Sequence, residues 1–325
     1  MQFNNPSSPH LHSKTKTSNI MLMVAVCTIP AVCAQVYFFG LAVLMQIALC
    51  VFFCCAFEVL FLKLRAKNYK FILQDNTALL TGLLLALSLP AYCPWWIACI
   101  GSLAAIVLTK QLYGGVGHNI FNPAMMAYAF VLISFPVQLS SWVDPAHQVD
   151  LSAQLRHLID GIFLENYDVV TAATPLDVIK NNLDVPVDSS AWKLISLFYL
   201  AGGLFMLQRK IIKWHLPVAV IGSFLLLQAA AAMLNQDSYL SVLDACLSGS
   251  LIFGAFFIAT DPVTCCATDK GKLIFGCIVG VLIYVIRTFG GYPDGVCFAV
   301  LFANMCAPLI DYLLVGNIYG SKKNV

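Results

Sequence analysis

Apolar residues do not alternate with polar ones along this chain; they run in blocks. About ten blocks approach the 20 or so residues that a helix needs to cross a bilayer: 20–39, 41–62, 72–90, 95–110, 123–139, 192–208, 215–234, 245–260, 272–289 and 296–315. Half of them precede, and half follow, the one long polar interval, Ser140 to Ala191. The pattern predicts an all-α polytopic membrane protein. Its expected parts are a polar amino-terminal segment (1–19), a first membrane half (20–139), the polar interval (140–191), a second membrane half (192–316) and a tail (317–325). No convincing small-residue cleavage site follows the first block, so the expectation is a retained span rather than a removable signal.

Composition agrees: 60% of the 325 residues are hydrophobic and 10% charged, against about 25% charged in soluble domains. The basic residues then orient the spans. Lys14 and Lys16 precede the first; Lys63, Arg65, Lys67 and Lys70 follow the second; Lys110 follows the fourth. Arg209, Lys210 and Lys213 follow the sixth, Lys270 and Lys272 the eighth, and Lys322 and Lys323 close the chain. All fall on one side, which the positive-inside rule makes cytoplasmic, with both termini there. The polar interval is then outside, in the periplasm of a bacterium, and the expected location is the inner membrane. That interval holds half of the chain's 16 acidic residues, with only Arg156 and Lys180 to oppose them.

An odd number of spans in each half means that homologous halves would be inverted. Thr81-Gly82-Leu83-Leu84 is similar to Ser248-Gly249-Ser250-Leu251, and a glycine pair follows each, Gly114-Gly115 and Gly290-Gly291. Segments interrupted in this way are expected of broken helices that line a midplane site. The 13 cysteines lie almost wholly in apolar blocks and form no C-x-x-C pair. They read as packing residues rather than as iron–sulfur ligands or disulfides.

Charges at membrane depth cost about 2.5–3.5 kcal/mol each and need a reason. Glu58, Asp75, Asp261 and Asp294 are the candidates for a cation path, with Asp244 at the start of the eighth block. The competing reading makes Asp261 the cap of a broken helix and Arg287 the partner of a carboxylate. In Gly114-Gly115-Val116-Gly117-His118-Asn119-Ile120-Phe121-Asn122-Pro123-Ala124 the glycines permit close backbone approach to a ligand or ion. No G-x-x-x-x-G-K-[ST] phosphate loop is present. His118 stands as a haem ligand or proton relay against an ordinary loop histidine.

The polar interval carries its own chemistry in Tyr167-Asp168-Val169-Val170-Thr171-Ala172-Ala173-Thr174-Pro175-Leu176-Asp177. Two alanines clear the approach of a bulky flavin nucleotide phosphate to the Thr174 hydroxyl. Asp168 and Asp177 can hold Mg²⁺ beside a pyrophosphate during the transfer, and Pro175 biases Thr174 away from helix. The plainer reading is that Thr171 and Thr174 shape a turn or cap a helix that begins at Pro175.

Taken together, Ser7-Ser8-Pro9-His10, Thr81-Gly82-Leu83-Leu84 with Leu89-Pro90, Gly114-Gly115 through Asn119-Ile120-Phe121-Asn122-Pro123-Ala124, Ala173-Thr174-Pro175-Leu176 and Ala259-Thr260-Asp261-Pro262-Val263-Thr264 carry a resemblance. Over essentially its whole length the chain resembles the RnfD family, membrane components of the Rnf (or Rsx) ion-translocating electron transport complex. That family is homologous to the NqrB component of the sodium-pumping NADH:quinone oxidoreductase. The resemblance implies FMN esterified through its phosphate to Thr174, with Asp168 and Thr171 leading into the small pair Ala172-Ala173, where Ala172 stands for a frequent glycine. The wider family also holds a second, non-covalent flavin, for which no motif appears here. The related quinone-reducing component has a longer polar amino terminus, so no quinone site is expected.

The implied mechanism is electron relay between ferredoxin or a similar carrier and NAD, through the flavin and coupled to cation movement. Thr174 would be an attachment point, and the chain would catalyse nothing alone. The implied partners are the other subunits of the complex, a flavin transferase and membrane lipid, with no nucleic acid. Two other classes compete: a small-solute channel or transporter with inverted halves, which leaves Thr174 without a purpose, and a structural scaffold.

Overall fold

In a computed structural model the described residues are 16–143, 145, 171–172, 174–181, 189–234, 241–292 and 294–314. They form α1 (Thr17–Phe39), α2 (Ala42–Leu64), α3 (Tyr69–Leu73), α4 (Thr77–Ser88), α5 (Trp95–Leu103, continued by a π-helix, Ala104–Gln111), α6 (Pro123–Ser134) and α7 (Pro136–Ser140). After these come α8 (Pro175–Lys180), α9 (Ser190–Gln208), α10 (His215–Leu234), α11 (Val242–Leu247), α12 (Leu251–Phe253, continued by a π-turn, Gly254–Ile258), α13 (Asp269–Phe289) and α14 (Val296–Leu314). Among the described residues the only β structure is an antiparallel ladder of β1 (Trp142–Val143) with β2 (Thr171–Ala172), Trp142 opposite Ala172.

Six helices, α1, α2, α9, α10, α13 and α14, are long and apolar enough to cross a membrane. The chain is a multi-pass, all-α membrane protein. The other four expected spans are short or broken, each for a local reason. The block 72–90 divides at Asn76, whose φ of 60° is left-handed; Asp75 Oδ1 then accepts the Thr77 N–H at 2.8 Å, and α4 starts there. The block 123–139 divides at Phe135, because Pro136 has no N–H with which to continue the ladder. The block 245–260 divides at Gly249, with φ of 75°. The block 95–110 starts on time at Trp95, then widens into π geometry at Ala104, where the Thr109 hydroxyl donates to the Ala104 carbonyl at 3.1 Å.

The helices share two ends. α1 lies antiparallel to α9, with Gln35 Nε2 donating to the Tyr199 hydroxyl at 3.2 Å and Phe39 packed on Trp192. Lys16 at the start of α1 and Lys67 after α2 therefore share an end with Arg209 and with Lys213, which pairs with Asp269 at 2.5 Å. The opposite end holds Trp142 stacked edge-on against Trp192, with β1 paired to β2.

α10 and α13 meet through small residues. Gly276 and Gly280 lie one helical turn apart on α13, and a β-carbon on Gly280 would stand 2.0 Å from Ser223 Oγ and 2.3 Å from the Val220 carbonyl. Small-x-x-x-small spacing lets backbones approach where lipid removes the hydrophobic drive between helices. Gly280→Leu should push the two helices apart and destabilise the fold by about 1–3 kcal/mol, the usual cost of overpacking. Thermal unfolding in detergent checks it, and a wild-type midpoint would refute the close approach.

Candidate functional site

Thr174 is half-buried and sits immediately before α8. Its hydroxyl donates to Asp177 Oδ2 at 2.5 Å, its N–H donates to the same oxygen at 3.2 Å, and the Asp177 N–H donates back to Thr174 Oγ1 at 3.3 Å. This is a reciprocal cap, with Pro175 at the first helical position. Thr171 lies in β2. Asp168 lies outside the described residues.

Short as it is, α8 is anchored. Lys180 Nζ donates to the Tyr292 carbonyl at 2.6 Å and the Ile286 carbonyl at 3.4 Å, at the far end of α13 and just beyond it. Burial draws the Lys180 ammonium below its usual range, and the nearby Asp177 opposes that shift. Leu176 reaches the left-handed turn at Gly249, where a β-carbon would stand 2.5 Å from Leu176 Cδ1, 2.9 Å from Arg287 Nη2 and 3.0 Å from Asp294 Oδ2. No side chain larger than hydrogen fits there.

Beneath Leu176 the Arg287 side chain is 9% exposed. Its Nη2 meets Asp294 Oδ1 at 3.2 Å, its Nη1 donates to the Ala245 carbonyl at 3.0 Å, and the guanidinium lies over the Phe224 ring. Arg287 Nε is buried without a hydrogen-bond partner. Asp294 also accepts from the Ser250 N–H at 2.7 Å and the Ser250 hydroxyl at 2.5 Å. The pairing of Arg287 with a nearby carboxylate, one of the two readings open from the sequence, is what the structure holds.

A second cluster lies on the side of the basic end. Glu58 on α2 and Lys110 in the π-helix pair at 2.7 Å, with side-chain exposures of 1% and 3%. Lys110 Nζ also donates to Glu58 Oε2 at 2.9 Å and to Thr77 Oγ1 at 2.6 Å. Gln111 Nε2 donates to Glu58 Oε1 at 3.0 Å, and the Thr77 hydroxyl donates to Asp75 Oδ1 at 2.6 Å. The sequence pattern puts Lys110 in a loop after the fourth span. Its position is instead inside the helix and turned inward, since the wider π turn and the lone Glu58 of α2 give its ammonium a partner.

Two cavities flank this pair. One of about 540 Å³ is lined by Lys16, Lys67, Asp75, Gln111, Gly114 and His118, among others. Another of about 60 Å³ is lined by Thr77, Lys110, Asn119, Asn122 and Asp261, among others. Asp261 follows the π-turn and accepts from the Thr264 hydroxyl at 3.0 Å and the Val263 N–H at 3.3 Å. Asn122 Oδ1 caps α6 by accepting the Ala124 and Met125 N–H groups, while its Nδ2 donates to the Ile258 carbonyl at 3.3 Å. Glu58, Asp75 and Asp261 thus gather around adjoining cavities, and Asp294 stands apart beneath α8.

Sequence reasoning missed Thr77, Ser250 and the inward turn of Lys110. The one available signal for Lys110 was a pair of opposite charges, each alone in its apolar block.

Long apolar helices, short broken ones between them and carboxylates held at depth by cations define the class: a multi-pass membrane protein built to keep charge inside its helical core. Comparison with known proteins makes this particular. The family model described as the NQR2, RnfD, RnfE family matches residues 4–320. A Shewanella loihica protein whose name makes it a subunit of an ion-translocating oxidoreductase complex is 44% identical over 347 residues, covering 99% of each chain. Proteins of the same name from Aliivibrio salmonicida and Cronobacter sakazakii are each 43% identical, over 353 and 358 residues, covering 99% of this chain and 100% of theirs. The chain belongs to the NQR2, RnfD, RnfE family and is a membrane subunit of an Rnf-type ion-translocating oxidoreductase complex.

Proposed function

We propose that this protein relays electrons through an FMN esterified to Thr174, after modification by a separate flavin transferase, and that the relay is coupled to cation movement past Glu58, Asp75 and Asp261. The observation that carries the reading is the placement of Thr174. Its hydroxyl precedes a helix rather than lying within one, and two residues on, Leu176 touches the turn that holds Arg287 and Asp294. The orphaned Arg287 Nε is a buried donor without an acceptor, which suits the neighbourhood of an anionic cofactor. When bound, the flavin supplies one- and two-electron chemistry. The chain's own residues anchor and orient: Lys180 pins α8 to the end of α13, and Leu176 fixes its depth.

Esterification removes the proton that Thr174 shares with Asp177, so Asp177 must turn from the modified oxygen. That frees a carboxylate for Mg²⁺ while the transferase is bound. The second, non-covalent flavin of the wider family has no assigned position in this reading, and nothing in it calls for catalysis by this chain alone.

Topology follows the same proposal. The ten helical segments form two inverted halves in the bacterial inner membrane, with both termini cytoplasmic and residues 140–191 periplasmic. In support, the basic residues gather at one end and α8 lies at the other. Equivalent helices of the two halves also meet each other, α1 with α9 and α6 with α14. Lys110 and Arg287 each pair with a carboxylate shortly before a glycine pair. Lipid covers the apolar outer faces, and the other subunits complete the electron path.

Peptide mass spectrometry of the chain, made in cells with an active flavin transferase, tests the proposal. An FMN-sized adduct is expected on the peptide that contains Thr174. An unmodified peptide alongside another substrate that the same transferase has modified would overturn the reading.

A further inference from the structure

The Glu58–Lys110 pair adjoins a cavity whose charges do not balance. Lys110 and Asp261 line it together, and Thr77, which accepts from Lys110, lines it too. Of the residues that line this cavity, Lys110 is the one cation. Asp261 receives only the Thr264 hydroxyl and the Val263 N–H among its hydrogen bonds with the described residues. Two carboxylates therefore share one ammonium, and carboxylates in a membrane interior stay charged only when paired. One further positive charge balances the group.

We propose that Lys110 is a tethered cation that exchanges between Glu58 and Asp261, and that a single monovalent cation, proton or sodium, takes the carboxylate it leaves. The inference rests on the reading that this protein couples electron flow to cation movement, and it assigns Lys110 a part in that coupling. In the conformation of the structure Lys110 sits on Glu58, and the exchanged cation belongs at Asp261. When the ammonium swings on its flexible four-carbon stem to Asp261, the cation belongs at Glu58. The total charge is the same in both states, so neither leaves an uncompensated carboxylate. If the cation is a proton, an O–H bond forms on the vacated carboxylate and breaks when Lys110 returns; sodium needs no covalent change.

The surroundings suit an exchange. Gln111 joins Glu58 to the 540 Å³ cavity, which Asp75 also lines, while Thr77 links Lys110 to Asp75. Glu58 thus stands between a large cavity on the basic side and the small one that reaches Asp261. The small cavity, at about 60 Å³, exceeds the 10–15 Å³ or so that a single water requires, so it admits a small ion or a water-borne proton.

The test uses inside-out membrane vesicles that hold the whole complex, with a trapped pH dye and radiolabelled sodium read in parallel against electron transfer. Two variants remove the exchange without leaving a buried charge alone. Asp261→Asn keeps the Glu58–Lys110 pair intact and so keeps the fold; Glu58→Gln combined with Lys110→Met removes both members of the pair. In each, electrons should still flow, because no cation step remains to wait for, and cations moved per electron should fall about tenfold or more. The signal that falls identifies the ion. A wild-type ratio in either variant overturns the proposal, as does an assembled, flavinylated variant that transfers no electrons. An unmodified Thr174 peptide in the wild-type complex would instead count against the carrier reading.

Discussion

In cells with an active flavin transferase, Thr174→Ala should abolish the flavin adduct and the in-gel flavin fluorescence of this chain, and electron transfer through the complex should fall to background. The effect is all or none because alanine offers no oxygen for the phosphoester. It should also be specific. Thr174 caps a six-residue helix through Asp177, and losing a cap costs about 1 kcal/mol, too little to unfold a multi-pass bundle. Thr174→Ser keeps the oxygen and the cap, and should keep the adduct. Intact-mass measurement on assembled complexes separates the two variants. Flavin retained on the Thr174→Ala peptide would show that the attachment residue is another hydroxyl.

The second large effect concerns stability. Lys110→Met with Glu58 left in place should destabilise the chain by about 3–5 kcal/mol, the usual cost of stranding one member of a buried ion pair. Glu58 is 1% exposed, and Lys110 supplies its only counter-charge among the described residues. Gln111 would remain as a donor, but an amide does not neutralise a carboxylate. Adding Glu58→Gln should recover most of the loss, since replacing both charges by neutral groups is often close to neutral in stability. Denaturant unfolding in micelles of both single variants and the double gives the coupling between them. Additive effects would mean that the pair is not a unit.

Much of this was readable from the chain. Asn122-Pro123 announced the start of α6, and the structure supplies the reason in the asparagine oxygen that accepts two N–H groups. Thr174-Pro175 announced a cap and a helix start for the same kind of reason. Arg287 and Asp294 are seven residues apart, near enough for their pairing to be anticipated. Lys110 was not legible. A single lysine at the end of an apolar block looks the same whether it reaches out to water or turns inward. What decides is Glu58, 52 residues earlier, on a helix whose adjacency no local pattern records. The broken spans were likewise seen as glycine and proline signals, while the break at Asn76 depends on Asp75 accepting from Thr77, an arrangement that only three dimensions display.

The π-helix at Ala104–Gln111 bears on how this protein can change over generations. A π-bulge accommodates roughly one residue more than an α-helix would in the same length, and each residue in an α-helix turns the chain by about 100°. Deleting a single codon between Ala104 and Thr109 would let the helix relax to ordinary geometry while rotating everything after it. Lys110 would then leave Glu58 and face another direction, although every apolar residue stayed apolar. This helix therefore tolerates conservative exchange of letters far better than any change in their number, and lineages should vary its composition while holding its length.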